Sequence, residues 1–322
     1  MNQSHLISDY KYIKDSFNLS IETYVNEYKS LHWQYFYNKK NNLLNEQKII
    51  EFRKNEFSQG LDDKSKSLEG LKNFYTELTR KTGLDYLESL LDTNNIGNNE
   101  HYFKYKNFFV DLNLLHNINF FYEIEKNIPL KDNMIICEIG GGYGHLAKLL
   151  LSKFKVKIIL IDLPETNLMS SYFLMENFKN HKFLLYSKVK SNNINIETIK
   201  DYDVIVIPPW AKIGNLKIDL FINIRSMMEM NFETIKKYFN LIQDNIKING
   251  YLININRYLK STVGHDIKLG EYPYDDNWDV MLSKQSEFQN RIHQLFTKRC
   301  NENKKSISNE LKSINEFTKN NL

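Results

Sequence analysis

The sequence predicts an α/β fold, a Rossmann-like, doubly wound and mostly parallel sheet, preceded by an all-α N-terminal domain. Three observations predict it. Helical periodicity runs without a strand pattern to about residue 128. Short Ile/Val/Leu-rich runs then alternate with helical stretches, as buried parallel strands require. The first of these runs opens directly into a glycine-rich turn, Glu138-Ile139-Gly140-Gly141-Gly142-Tyr143-Gly144.

At 322 residues the chain is long enough for two domains or one elaborated domain. Apolar residues at 42% and charged residues at 25% are those of a folded chain. A mean hydropathy of −0.51, with no long uncharged apolar run, excludes membrane helices, and no membrane partner is expected. The first residues contain neither a basic leader nor an apolar h-region, so a cytoplasmic location is the expectation. Cys137 and Cys300 are too far apart to suggest a metal site, and both are expected to be reduced thiols. A net charge of +4, with Lys and Glu interspersed, leaves no electrostatic footprint for nucleic acid, and none is expected as a partner.

The elements follow in order. Residues 21–37, 43–57 and 68–82 carry apolar side chains at three- and four-residue spacing. Gly97-Asn98-Asn99 marks a loop, and residues 102–125 read as an aromatic-rich helical region. Those aromatics suit a core, a lid over an acceptor pocket, or a face for homo-oligomer contacts. The expected organisation is a helical domain over 1–128, an α/β domain over 129–300 and a polar tail over 301–322. Strands are expected at 134–138, 157–162, 182–186, 203–207 and 250–256, with helices at 145–153, 167–177, 194–200 and 232–246. Residues 278–284 and 291–298 suit a closing antiparallel pair at the sheet edge.

An acidic strand end followed by Gly140, Gly142 and Gly144 turns the chain sharply into a helix. Backbone N–H groups and a surface free of side chains are thereby presented to a nucleotide-like cofactor. In dinucleotide-binding folds the third glycine comes three residues after the second, whereas here it comes two after, with Glu138 two before the first. That spacing favours methyl transfer from S-adenosyl-L-methionine over hydride transfer. The next run, Ile158-Ile159-Leu160-Ile161-Asp162, ends in a carboxylate able to accept both hydroxyls of a ribose. Without a cofactor, the same residues would form a tight turn and helix-capping carboxylates.

The segment Ile136-Cys137-Glu138-Ile139-Gly140-Gly141-Gly142-Tyr143-Gly144, taken with Ile161-Asp162-Leu163-Pro164-Glu165, resembles a family of sugar O-methyltransferases sometimes called NanM-like. That family lies within the class I S-adenosylmethionine-dependent methyltransferases. Two later blocks are similar to blocks of the family: Asn223-Ile224-Arg225-Ser226-Met227-Met228-Glu229-Met230 and Tyr272-Pro273-Tyr274-Asp275-Asp276-Asn277-Trp278. The resemblance spans roughly residues 117–298. It implies a seven-stranded class I sheet with S-adenosyl-L-methionine across the carboxyl ends of its first strands. It also implies a sugar hydroxyl as acceptor, on a nucleotide sugar, a surface glycan or a glycosylated metabolite. By position, Glu138, Gly140 and Gly142 would face the methionine part, Gly141 and Gly144 would complete the loop, and Asp162 would meet the ribose. Leu163 would pack on the adenine ring and Pro208 would join the cofactor site, leaving Trp210, Asn223, Asp275 and Asp276 as candidates for acceptor binding.

Methyl transfer from a sulfonium is an in-line displacement, so the acceptor oxygen has to be held collinear with the methyl. A sugar hydroxyl also needs a base to take its proton. His265, in the polar loop 261–265, is the first candidate, because an imidazole titrates near neutrality. Glu229 is the second. The plain alternatives are a solvated loop histidine and the exposed face of a helix. Asp275 and Asp276 have the chemistry for a hard cation, but after Pro273 they read as a surface turn, so no metal is expected.

Pro208-Pro209-Trp210 ends the run 203–207, and a Pro-Pro-aromatic end also occurs in enzymes that methylate adenine amino groups. Those enzymes carry Asp, Asn or Ser before the prolines. Ile207 cannot accept a hydrogen bond from an amino group, so that reading is the alternative. A non-catalytic cofactor-binding assembly protein is the third.

Overall fold

The computed structural model describes residues 3–38, 46–54, 67–189, 193–261, 264–302 and 306–321. The N-terminal part contains helices α1 (Gln3–Glu22), α2 (Leu31–Asn38), α3 (Glu46–Ile50), α4 (Leu68–Thr82) and α5 (Leu84–Glu88). A short hairpin, β1 (Phe103–Tyr105) and β2 (Phe108–Val110), leads into α6 (Leu112–Asn127). From there β3 (Ile135–Ile139), α7 (His145–Lys153), β4 (Lys157–Ile161), α8 (Pro164–Asn177) and β5 (Phe183–Leu185) alternate. They are followed by β6 (Asn193–Ile194), α9 (Ile196–Ile199), β7 (Val204–Ile207), β8 (Lys212–Ile213), β9 (Ile218–Ile224) and α10 (Phe232–Asn245). The chain finishes with β10 (Ile246–Arg257), β11 (Leu259–Lys260), β12 (Ile267–Lys268), β13 (Trp278–Gln285), β14 (Ile292–Arg299) and α11 (Ser306–Asn321).

Eight strands form the central sheet in the order β13-β14-β10-β9-β3-β4-β7-β5. The six from β5 to β10 are parallel, and β14 and β13 close the far edge as an antiparallel pair. This is the doubly wound, mostly parallel α/β arrangement expected. The chain builds outward from β3 through β4 and β7, then returns to place β9 on the other side of β3. The carboxyl ends of β3 and β9 therefore flank the point where winding reverses, which is where open α/β sheets bind ligands.

Alternation along each strand produces two apolar layers. On one face Ile136, Ile158, Leu160, Val206 and Ile222 pack with α6, α7 and α8 and with Ile13, Phe52, Phe74 and Leu78 of the N-terminal part. On the other, Cys137, Ile159, Ile161, Ile205 and Phe221 pack with Ile235, Phe239 and Ile242 of α10 and with Ile307 and Ile314 of α11. Side-chain caps set several helix starts: Asp111 accepts from Leu114 N at 3.0 Å and Asn231 from Thr234 N at 2.8 Å. Among the described residues both cysteines are free thiols, and no helix is long and apolar enough to cross a membrane.

Three differences from the sequence expectation have physical reasons. Strand β9 was not expected, because Asp219 and Asn223 interrupt its apolar run. Asp219 accepts from Ile135 N at 2.8 Å and pairs with Lys247, and Asn223 is fully buried, so both polar groups are satisfied across strands. Second, β7 lies between β4 and β5, making β5 an additional edge strand and the sheet eight-stranded rather than seven-stranded. Third, residues 102–111, expected to be helical, form the β1–β2 hairpin, turned by Lys106 at φ 53°. The charged tail, read from sequence as helical or frayed, contains α11, which docks through buried Ile307, Ile314 and Thr318. The helix expected over 43–57 is seen as α3, and residues 43–45 and 55–57 lie outside the described residues.

Asn223 ties three strand ends together. Its Nδ2 donates to Ile139 O at 2.8 Å, and its Oδ1 accepts from Met227 N at 3.1 Å and from Asn256 Nδ2 at 2.9 Å. Replacing it with Ala strands a carbonyl and two donors out of water. Asn223→Ala is expected to cost about 3 kcal/mol in urea denaturation, and a loss below about 0.5 kcal/mol would show that the bridge is dispensable.

Candidate active site

The glycine loop leaves β3 and enters α7 at the winding reversal. Gly140 sits at φ 71°, and a Cβ built on it would fall 1.8 Å from the Ser226 hydroxyl, so the loop after β3 touches the loop after β9. At Gly141 a Cβ would come within 2.8 Å of the Glu138 carboxyl. These two close approaches explain why side chains are excluded here. Gly144 is the N-cap residue of α7, and Gly142 N donates to Asp162 Oδ2 at 3.1 Å.

Asp162 follows β4, and its second oxygen accepts from Leu163 N at 2.7 Å. The carboxylate is therefore held by one N–H from each loop, at the floor of a cleft that Glu138, Gly140, Gly141, Gly142 and Leu163 also line. Burial pushes Asp162 up to about 7 against the downward pull of those two N–H groups. Glu138 is pushed up to about 8, first by burial and then by the neighbouring Asp162 charge. Among the described residues its buried Oε2 has no hydrogen-bond partner. The cleft thus holds two buried carboxyl groups, one fixed by backbone N–H groups and one with an unpartnered oxygen.

The walls come from distant parts of the chain. From α6, Asn113, His116, Asn117 and Phe120 present one helical face to the cleft. Asn113 is tied by its Oδ1 to His145 Nδ1 at 3.0 Å, and His145 Nε2 meets Asp92 at 3.0 Å. The Tyr143 hydroxyl lies 3.2 Å from the same Nδ1. Arg53 and Asp111 pair at 3.0 Å in the same buried cluster, and the Arg53 and His145 charges hold Asp111 below the usual carboxylate range despite burial. Over the top run Tyr28 and Trp33, whose segment is fastened by Lys29 to Glu165 and by Glu27 to Lys237, with His32 Nε2 3.7 Å from Glu229. Burial lowers the His32 imidazole below its ordinary value, so it is neutral at physiological pH.

The structure separates the remaining sequence candidates. Glu229 lines the cleft, with Oε1 bonded to buried Lys260 at 2.7 Å. His265 is exposed in a separate groove with Asn231, Phe232 and Lys237, away from the glycine loop. Pro208 is buried behind its neighbour Pro209, which does line the cleft. Trp210 lies outside, edge-on to Tyr24 at 5.1 Å and donating to Thr23 Oγ1 at 3.1 Å. Asn223 has the bridging position described above. Asp275 pairs with Arg299 and accepts from Asn277 N, and Asp276 accepts from Ser308, both beside the β13–β14 hairpin. Among the described residues no group of three His, Cys, Asp or Glu side chains is placed to hold a metal ion.

Several lining residues were not singled out from sequence: Trp33, Asn113, His116, Asn117, Phe120 and Arg225. The spacing of 113, 116, 117 and 120 is a signal, since polar and aromatic residues on one stripe of an otherwise apolar helix point to a cavity.

No family model matches the chain, and no curated protein matches it. Among solved structures it is similar to the Burkholderia thailandensis 1,6-didemethyltoxoflavin-N1-methyltransferase at 9% identity and TM-score 0.42, over 56% of this chain and 76% of that one. It is also similar to an rRNA methylase from Streptococcus thermophilus at 13% identity and TM-score 0.36, over 56% of this chain and 93% of that one. A third is the mitomycin 7-O-methyltransferase, at 12% identity and TM-score 0.37, over 58% of this chain and 57% of that one. Likenesses of this degree carry no functional argument.

The raised Glu138 has a consequence for stability. Between the unfolded carboxyl value of about 4.3 and the folded value of about 8, the native protein keeps a proton that the unfolded chain releases, so stability falls as pH rises. Glu138→Gln removes that slope. Its melting temperature relative to the parent is expected to climb from pH 5 to pH 8 and then level off; a difference constant across that range would contradict the assignment.

Proposed function

We propose that this chain is an S-adenosyl-L-methionine-dependent O-methyltransferase whose acceptor is a sugar hydroxyl. The observation that carries the reading is the Asp162 carboxylate, fixed by Gly142 N and Leu163 N beside the unpartnered Glu138 oxygen. The residues present fit that cofactor. Asp162 matches a ribose diol, Glu138 matches an ammonium group, Leu163 offers an apolar surface for adenine, and Gly140, Gly141 and Gly142 line the cleft with backbone alone. When bound, the cofactor supplies an electrophilic methyl group on a sulfonium.

The chain's own residues supply the rest. Glu229 lies on the cleft wall, oriented by Lys260, and receives the proton of the acceptor hydroxyl. Asn113 and Asn117 provide hydrogen bonds for further hydroxyls, and Trp33 provides a flat apolar face, a combination suited to a polar ring. The narrower sugar assignment also rests on the resemblance of residues 223–230 and 272–278. Against the adenine-amino reading, the Pro-Pro-Trp segment follows β7, which is separated from β3 by β4, and Trp210 is engaged by Thr23 and Tyr24. In this reading the N-terminal segment acts as a wall of the acceptor pocket.

Calorimetry with S-adenosylhomocysteine is expected to show binding, weakened at least about tenfold by Asp162→Ala, as removal of a charge-assisted hydrogen-bond pair requires. Absence of binding by the parent protein, or an unchanged affinity in the variant, would falsify the cofactor reading. With S-adenosylmethionine and a panel of nucleotide sugars and glycans, mass spectrometry is expected to find a singly methylated product. Glu229→Gln should lower turnover about 10²–10⁴-fold while leaving S-adenosylhomocysteine affinity within about twofold. Full turnover by Glu229→Gln would remove Glu229 as the base.

A further inference from the structure

Among the described residues lining the cleft, Arg225 is the one with a permanent positive charge. We propose that Arg225 binds the carboxylate of the cofactor's amino-acid portion, completing a three-point grip with Glu138 on the ammonium and Asp162 on the ribose; the assignment rests on the cofactor reading above.

Placement supports it first. β9 runs beside β3 with Ile222 opposite Glu138, and Arg225 follows β9 directly, as Gly140 follows β3. The two loops meet where the Ser226 hydroxyl occupies the space that a Gly140 side chain would need. Arg225 is thus delivered to the same end of the cleft as Glu138, on the opposite lip of the winding reversal. Its backbone is held at φ 57°, a left-handed conformation unfavourable for a branched or long side chain, and its N–H is anchored to Ile255 O at 2.7 Å.

Charge supports it second. The amino-acid end of the cofactor is a zwitterion, and Glu138 answers only its ammonium. A carboxylate brought into the same cleft without a counter-charge is strongly disfavoured, and a guanidinium matches it with two parallel N–H bonds. The neighbouring Lys260 and Lys29 do not line the cleft.

Three probes separate the parts of the grip by calorimetry: S-adenosylhomocysteine, its decarboxylated analogue, and methylthioadenosine, which lacks the whole amino-acid portion. Arg225→Met is expected to weaken S-adenosylhomocysteine about 10- to 100-fold while leaving the other two within about twofold. Glu138→Gln should weaken S-adenosylhomocysteine and the decarboxylated analogue alike and spare methylthioadenosine. Arg225→Gly, which relieves the backbone and removes the guanidinium, should match Arg225→Met. The proposal is overturned if Arg225→Met leaves S-adenosylhomocysteine affinity unchanged, or if it weakens all three probes equally, which would mean that the residue acts through the fold. Failure of the parent protein to bind any of the three would instead overturn the cofactor reading itself.

Discussion

Glu138 and Asp162 are held out of water side by side, and much of the surrounding structure can be understood as the means of keeping them there. Neither position is comfortable: burial raises both carboxyls, the Asp162 charge raises Glu138 further, and the Glu165 charge adds to the rise at Asp162. What fixes them is the register of β3 and β4, with Glu138 opposite Leu160 and Ile139 opposite Ile161, inside two apolar layers that give the strand ends no freedom to relax. A strained, under-satisfied site of this kind is held in place by packing elsewhere. The sheet's size is therefore part of its chemistry.

The glycine loop and Asp162 were legible in the sequence because a sharp strand-to-helix turn needs closely spaced glycines and the next apolar run ends on a carboxylate. The parallel strands were legible for a related reason, since burial on both faces leaves continuous apolar runs. What sequence did not reveal was produced by partners distant along the chain. Asn223 looks like a polar ligand until three strand ends are seen to converge on its amide. Strand β9 was hidden by that same residue. His265 lies in a separate groove at the start of α10, whereas Glu229 acquires its place in the cleft through Lys260, a contact across 31 positions. The cleft-facing stripe of α6 is periodic, yet its meaning depends on where the helix docks.

The buried ionic cluster beneath the loop shows how the N-terminal part and the sheet became one structure. Arg53, Asp92, Asp111 and Lys148 pair in a setting where a lone charge would be very costly, so each requires the others. Burial, with the Arg53 charge, brings Lys148 down to about 8. Through His145 and Asn113 this cluster reaches the cleft wall. It aligns α6 with the start of α7, and hence the α6 wall of the cleft with the glycine loop.

The segment carrying Tyr28 and Trp33 has a consequence for synthesis as well as for binding. Its anchors lie far ahead in the chain: Thr23 meets Trp210 across 187 positions and Glu27 meets Lys237 across 210. It is synthesised well before residues 210–237, so those two anchors are absent while it emerges. Loop closure over such a span is slow. The roof of the cleft is thus made early and fitted late, so a nascent chain has an open, unfinished site until most of the sheet is in place.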